Sequence, residues 1–336
     1  MLRYTVRRLL QLVLVLFVLS LLLFLWLRSL PGGPVSAILG QRATPEKRAE
    51  LNAVLGLDQN VFVQYLSYMG RVLQGNFGQS TGVAPGTPAL DVFFLRFGAT
   101  IELTVGAMIL ALAFGIPLGY MAAKRRGGTL DNSAIVFSLI GIAVPVFFLA
   151  FLLKFVFAVK LGVLPPSGRQ TPGIDATRVT GLFIVDGVIT REWDAAWDSV
   201  QHLILMWIAL GTIPFAVIFR ITRGSVLEVQ GEDFVRTAEA KGLTRTTIRN
   251  RHVLRNAMLP VVTVTGLLVG QLLAGAILTE TVFAYPGIGE AFKIAYDKKD
   301  FPVLQVLILA SAAIFVIINT LVDLAYAVID PRIRVG

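Results

Sequence analysis

From Leu9 to Leu27 the chain reads LLQLVLVLFVLSLLLFLWL, without one charged residue. A helix of about 20 apolar residues crosses the hydrocarbon of a bilayer. This run therefore constrains the fold more than any other feature, because it needs lipid around it. Comparable runs lie near 99–123, 134–159, 200–221, 261–282 and 303–328, while the first extends over 9–28. Backbone groups in hydrocarbon must satisfy each other, so runs of this length are helices. The predicted class is an all-α polytopic membrane protein with six transmembrane helices. A composition of 55% hydrophobic and 15% charged residues is too apolar for an ordinary soluble domain.

Lys and Arg set the orientation. One side holds 16 cations, among them Arg3, Arg7, Arg8, Lys124, Arg125, Arg126 and the basic residues of 220–259, against six anions. The other side, comprising 29–97, 160–199 and 283–302, carries 12 of each sign. The surplus face is read as cytoplasmic, with both termini inside. The opening MLRYTVRR imitates the basic start of a signal peptide, but the apolar core behind it is too long and no A-x-A site follows. It reads as an anchor. There is no cysteine, hence no disulfide framework and no thiolate chemistry.

Four regions follow: 1–28, the first segment and helix; 29–97, an external and mostly helical subdomain; 98–330, a five-helix core; and 331–336, a tail. The core carries an external insert at 160–199 and a cytoplasmic loop at 222–260. In the external subdomain, LPGGPVSAILG (30–40) breaks the chain. Thr44 then reads as an N-cap with Pro45 at the first helical position, for a helix ending near Gly56. A second helix opens at Asp58 and runs to about Gln74. GNFGQSTG (75–82) reads as a turn-rich link. Trp193 and Trp197 in the insert suit a membrane interface or a partner surface.

Catalytic signatures are missing. No G-x-x-x-x-G-K-[ST] phosphate loop occurs, so the chain does not hydrolyse ATP by that route. There is no H-E-x-x-H, only His202 and His252 exist, and neither metal nor catalytic residues are assigned. GQSTG (78–82) fits the G-x-S-x-G nucleophile pattern, but that motif needs a strand-to-helix elbow on a sheet. A Gly/Ser turn is the better account. Acids inside apolar spans are expensive and often functional. Glu102, Glu280 and Asp323 qualify, with Lys154 as the cation. They read either as hydrogen-bonding groups at helix ends or as a polar mouth meeting a charged substrate.

The segment EDFVRTAEAKGLTRTTIRNRHVLRNAMLP (232–260) has six basic and three acidic residues between two apolar spans. DFVRTAEAK is expected to form a short helix with Phe234, Val235 and Ala238 on one side. Gly242 suits its C-terminal cap in the left-handed region. Thr244 can cap a second helix that ends just before Pro260. A DNA-reading helix-turn-helix does not fit a loop tethered to the bilayer at both ends. A passive interfacial helix pair touching lipid phosphates through Arg245, Arg249, Arg251 and Arg255 remains open. So does a docking element for a cytoplasmic partner.

VRTAEAKG followed by RHVLRNAMLPVVT resembles the cytoplasmic loop of peptide-type ABC importer permeases, a version of the EAA loop. LPPSGR (164–169), HLIL (202–205), GAILTETVFAYPGIG (275–289), DFP (300–302), NTLVDLAYAVIDPRIR (319–334) and the early LPGGP and GNFG are similar to segments of the same family, in order along nearly the whole chain. Arg236 stands where the general pattern has Glu, and Met206 where many relatives have Pro. The 170–199 stretch is longer than usual, and no function transfers to it.

The resemblance implies a type I importer permease in a prokaryotic plasma membrane, moving di- or oligopeptides, with nickel, glutathione or another small solute as alternatives. A transporter or channel working without ATPases is the rival class. Implied partners are a second, related permease, two cytoplasmic ATPase subunits and an external substrate-binding protein, besides membrane lipid; nucleic acid is not among them. No cofactor is expected on this chain, with ATP and Mg in the ATPases. The coupling loop would comprise Phe234, Val235, Arg236, Ala238, Glu239, Ala240, Lys241 and Gly242, with Phe234, Val235 and Ala238 supplying apolar contact. Gly270, Gly275 and Glu280 would belong to the substrate pathway, and Tyr285, Pro286 and Gly287 to an external gate.

Overall fold

The computed structural model describes residues 2–29, 35, 44–54 and 57–329, with side chains except at 2–9, 48, 50, 51, 53, 54, 273, 274 and 321–329. LPGGPVSAILG, the Gly56 helix end and the side chain of Asp323 thus lie outside the described residues. Helices account for the architecture, and five described helices are long and apolar enough to span a membrane. The count is six if one bent pair is a single span. The chain divides into two compact units, Met1–Gly98 with Pro286–Gly336, and Ala99–Tyr285.

In the first unit, α1 (Leu2–Ser29) lies antiparallel to the last helix, α13 (Phe301–Ile329). Leu14 and Val15 share a cavity wall with Val316 and Asn319, whereas Leu27 and Arg28 share one with Phe301 and Gln305. Between them come α2 (Pro45–Val54), α3 (Val61–Leu73), the first part of α4 (Ala89–Lys124) and α12 (Ile288–Asp297). The Thr44 hydroxyl accepts from the Lys47 amide at 3.4 Å, as its cap reading requires. The next helix opens later than expected. Asn60, not Asp58, accepts from the Phe62 amide at 3.0 Å, and Gln74 follows the last turn.

α3 does not stand away from the apolar span but lies along it. Tyr65 packs edge-on against Phe17 and Phe24, and its hydroxyl is 2.8 Å from Ser20 Oγ. The GNFGQSTG link is pinned by Asp300, whose buried carboxylate accepts from Ser80 Oγ at 2.6 Å and from the Gly82 and Val83 amides. Ser80 is thereby a structural hydroxyl, in keeping with the turn reading. Burial pushes the Asp300 carboxyl up, but the bonds from Ser80, Val83 and Gly82 outweigh it and hold it below the usual range.

In the second unit α8 (Trp193–Gln230) is the central post, against which α5 (Thr129–Ala143), α6 (Val146–Leu153), α7 (Phe183–Ile189) and α11 (Arg255–Phe283) all pack. α4 meets α8 through small residues: a Cβ on Gly211 would stand 2.9 Å from the Ala107 carbonyl oxygen, so only glycine lets the backbones come this close. The third apolar run is not one straight helix. Val144 is extended before Pro145, and the segments Thr129–Ala143 and Val146–Lys160 meet at 103°. Proline excludes its predecessor from the helical region, which supplies the break.

Candidate functional site

α8 has 38 residues, roughly 57 Å at about 1.5 Å per residue, against an apolar core of about 30 Å. It therefore projects out of the hydrocarbon. Beyond Gly231 and Glu232 the chain folds at once into α9 (Asp233–Ala240). Gly242, at φ +73°, reverses it. Its amide donates to the Glu239 carbonyl at 2.9 Å and that of Leu243 to the Ala238 carbonyl at 3.2 Å, which closes the helix as a left-handed glycine cap does. Thr244 Oγ1 then accepts from the Thr247 amide at 3.3 Å and opens α10 (Arg245–Thr247). A π-helical turn, Ile248–Leu254, leads straight into α11.

The second helix does not stop before Pro260; it passes through that residue into the span. Proline removes one backbone bond, and the exposed surroundings of Leu259 and Pro260 let other groups make up the loss. The 222–260 loop is consequently almost all helix, with two residues between α8 and α9 and four between α9 and α10.

Val235 and Ala238 are each 4% exposed and sit in a cluster with Ala123 of α4, Val226 of α8, Ile248 and Val253 of the π turn, and Ala257 of α11. α9 is thus seated on the π-helical turn and shares one apolar cluster with the ends of three long helices. The expectation that Phe234, Val235 and Ala238 face a partner together is corrected here. Val235 and Ala238 are three residues apart on the inner face, whereas Phe234, about 100° round the helix from Val235, is at the edge of that face and 42% exposed. Arg236, Glu239, Ala240 and Lys241 are exposed beside it. What remains free is a charged face with one aromatic ring. Nearby, Arg223 grips buried Asp131 through two bonds of 2.5 and 2.8 Å, tying α8 to the start of α5.

The opposite end of α4 and α8 is closed. Glu102 accepts from Arg169 Nη2 at 2.6 Å and from the Ile184 amide at 2.8 Å. Arg169 also donates to the Gly181 carbonyl and lies 3.6 Å from the Phe183 ring centroid. The Trp207 indole donates to the Glu102 carbonyl at 3.0 Å. Glu280 is fully buried and accepts from Thr100 Oγ1 at 2.6 Å, and Lys154 Nζ donates to the Val282 carbonyl at 2.7 Å. Glu280 is in the last turn of α11, whereas Glu102 stands well inside α4, which begins at Ala89 and not near residue 99; both carboxylates are buried and hydrogen-bonded here.

Of the other suggested pathway residues, Gly270 is buried and Gly275 is exposed beside Leu210. None of Gly270, Gly275 and Glu280 lines the groove of about 580 Å³ bounded by Leu110, Phe114, Phe137, Trp207 and Phe215. That wall is nearly all hydrocarbon and offers nothing to terminal charges. Tyr285 is fully buried in the second unit; Pro286 and Gly287 begin the returning part of the first. Trp193 and Trp197 are 62% and 59% exposed, as interfacial or partner-facing rings would be. Asp186 anchors the insert, accepting from the Thr180 hydroxyl and amide and from the Gly181 amide. Burial raises its carboxyl, yet those bonds leave it below the usual range.

Residues 115–335 match the family described as binding-protein-dependent transport system inner membrane component, and residues 1–97 match its N-terminal region. The chain belongs to this family. A dipeptide transport system permease of Escherichia coli K12 is 46% identical over 339 aligned positions, covering 99% of both chains. One from Alkalihalophilus pseudofirmus is 43% identical over 99% of this chain and 100% of its own length. A glutathione transport system permease of Shigella boydii is 38% identical over 99% of both. Among solved structures, the inward-facing MetNI methionine ABC transporter matches with a TM-score of 0.50, at 14% identity, over 69% of this chain and 93% of that one.

The chain is accordingly a multi-pass permease subunit of a plasma-membrane ABC importer with the permease fold of that structure, and not an enzyme. Membership in the family implies ATPase and substrate-binding partners.

Proposed function

We propose that this permease carries di- or oligopeptides inward and that α9 is the element through which ATPase motion reaches the membrane. The observation that carries the reading is the seat of α9: one face is packed on the π-helical turn, in one apolar cluster with the ends of α4, α8 and α11, and the other is exposed and charged. A force on such a helix passes through the π-helical turn to α8 and α11, because packed interfaces shift between discrete arrangements and do not deform gradually. Phe234, Arg236, Glu239 and Lys241 form the face that meets the ATPase. Gly242 makes the sharp return possible, and the basic surplus on that side supports a cytoplasmic side for both termini and the elbow.

The importer then consists of this chain, a second related permease, two ATPase subunits that bind ATP and Mg, and an external binding protein that delivers substrate. The peptide assignment is supported by relatives at 43–46% identity that carry dipeptide names. The relative named for glutathione fits the same chemistry, since glutathione is itself a tripeptide with charged ends. The proposal is tested by Gly242→Trp. No atom lies within 4 Å of where a Cβ would be, so the ring has room; the positive φ is what it cannot hold cheaply. We expect the variant to insert at normal yield and to lose ATP-driven dipeptide uptake together with co-purifying ATPase. Normal uptake would leave α9 a passive interfacial helix.

A further inference from the structure

The first unit contains a cavity of about 730 Å³ that none of the transport chemistry uses. Its volume falls within the roughly 300–1,000 Å³ of small-molecule sites. Phe24 and Leu27 at the end of α1, and Phe301 and Pro302 at the start of α13, form its apolar side. Arg28, Tyr68, Arg71, Gln305 and the polar residues of the 76–81 link form its polar side, and among the described residues no carboxylate belongs to the wall.

Two guanidinium groups thus line one cavity, and among the described residues of its wall no acid balances them. Arg28 is held in place: it lies 3.6 Å from the Phe24 ring centroid and its Nε donates to Gln64 Oε1 at 2.8 Å. The Arg71 guanidinium has no hydrogen bond or ion pair among the described residues. Tyr68 is 7% exposed, and its buried hydroxyl has no partner either. The buried Tyr68 hydroxyl carries a cost that an oxyanion ligand removes, and the exposed Arg71 beside it is free to reach the same ligand.

The surroundings decide which oxyanion. Tyr65 of α3 touches Phe17 and Ser20, which precede the end of the span by several residues, so α3 lies at acyl-chain depth. Its outward side chains Phe62, Leu66 and Leu73 are 79%, 70% and 81% exposed. A helix with one such face and a polar opposite face belongs at a lipid boundary. A soluble anion gains nothing from this apolar flank, whereas a lipid has chains to lay on it. We propose that the cavity binds the phosphate of an anionic phospholipid between Arg28 and Arg71, with the acyl chains along α3 and the end of α1.

Native mass spectrometry of the full chain in mild detergent tests this, with phosphatidylglycerol, phosphatidylcholine and inorganic phosphate as probes. We expect one phosphatidylglycerol retained in preference to phosphatidylcholine, and an affinity about ten-fold lower in Arg71→Ala, the scale of one charge-assisted bond. Arg71→Lys should recover most of it. Because the Arg71 guanidinium holds no partner in the fold, lipid-free melting of Arg71→Ala should match the parent. Equal retention of phosphatidylglycerol by parent and Arg71→Ala would overturn the proposal. Retention of inorganic phosphate without the lipid would replace it with a soluble anion. A photocrosslinker at position 71 that captures only the external binding protein would replace it with an acidic protein contact.

Discussion

The two ends of the α4–α8 pair solve opposite problems. At one, Glu102, Arg169, Thr100 and Glu280 are buried and bonded to one another or to nearby backbone, and the half-buried Trp207 indole caps the Glu102 carbonyl. At the other, the buried contacts of α9 are apolar, and its charges point outward unpaired except for a long exposed contact between Asp233 and Arg236. The first arrangement resists change, because separating a buried pair leaves an uncompensated charge. The second costs little to rearrange and offers a surface. A permease driven from one side needs both: an end that keeps its shape and an end that can be gripped.

The largest expected effect comes from breaking the closed end. Arg169→Ala leaves Glu102 buried without its cation, a loss of about 3–5 kcal/mol. Melting of the detergent-solubilised chain should fall steeply, and Glu102→Gln added to Arg169→Ala should restore part of the difference. If Arg169→Ala melts like the parent, the closed end is not held by this pair.

A smaller and pH-dependent effect is expected at Asp300 in the other unit. A carboxyl held below its ordinary value stabilises the fold above the unfolded pKa of about 3.9, and that stability disappears as pH falls through the folded value. Asp300→Asn should therefore melt below the parent at pH 7. The gap should narrow only at acid pH, beginning below about 3.9. A gap that is constant with pH would remove the charge from the account.

At the elbow itself, Thr244→Ala removes one helix cap and should cost about 1 kcal/mol, read as a modest fall in uptake with insertion intact. A loss of uptake as complete as that expected for Gly242→Trp would mean that the Thr244 cap, and not only the glycine turn, carries the coupling.

Much of this was legible in the sequence because the bilayer leaves few choices. An uncharged run from Leu9 to Leu27 can hardly be anything but a span, and a glycine after TAEAK can close a helix cheaply. The bend at Val144–Pro145 was legible too, from the proline alone, but a hydropathy count reads across it. The facing of α9 was not. Phe234, Val235 and Ala238 fit one broad face, and nothing local says that the chain's own Ala123 and Val226 cover only two of them. Nor does any spacing announce that Arg169 meets Glu102 across 67 positions, because such pairing is settled by how the insert folds back onto α4. Arg71 likewise is a surface arginine in sequence and in structure, and only the cavity wall beside it, with Arg28 and the buried Tyr68 hydroxyl, sets it apart.

The central claim is that the exposed face of α9 is a lever and its buried face a fixing. ATP-driven dipeptide uptake by proteoliposomes of the assembled importer tests it most directly when Phe234→Asp is compared with the parent. Phe234 is outside the α9 cluster, so the variant should insert and melt normally while uptake falls to background. Uptake at the parental rate by a normally folded Phe234→Asp would contradict the account.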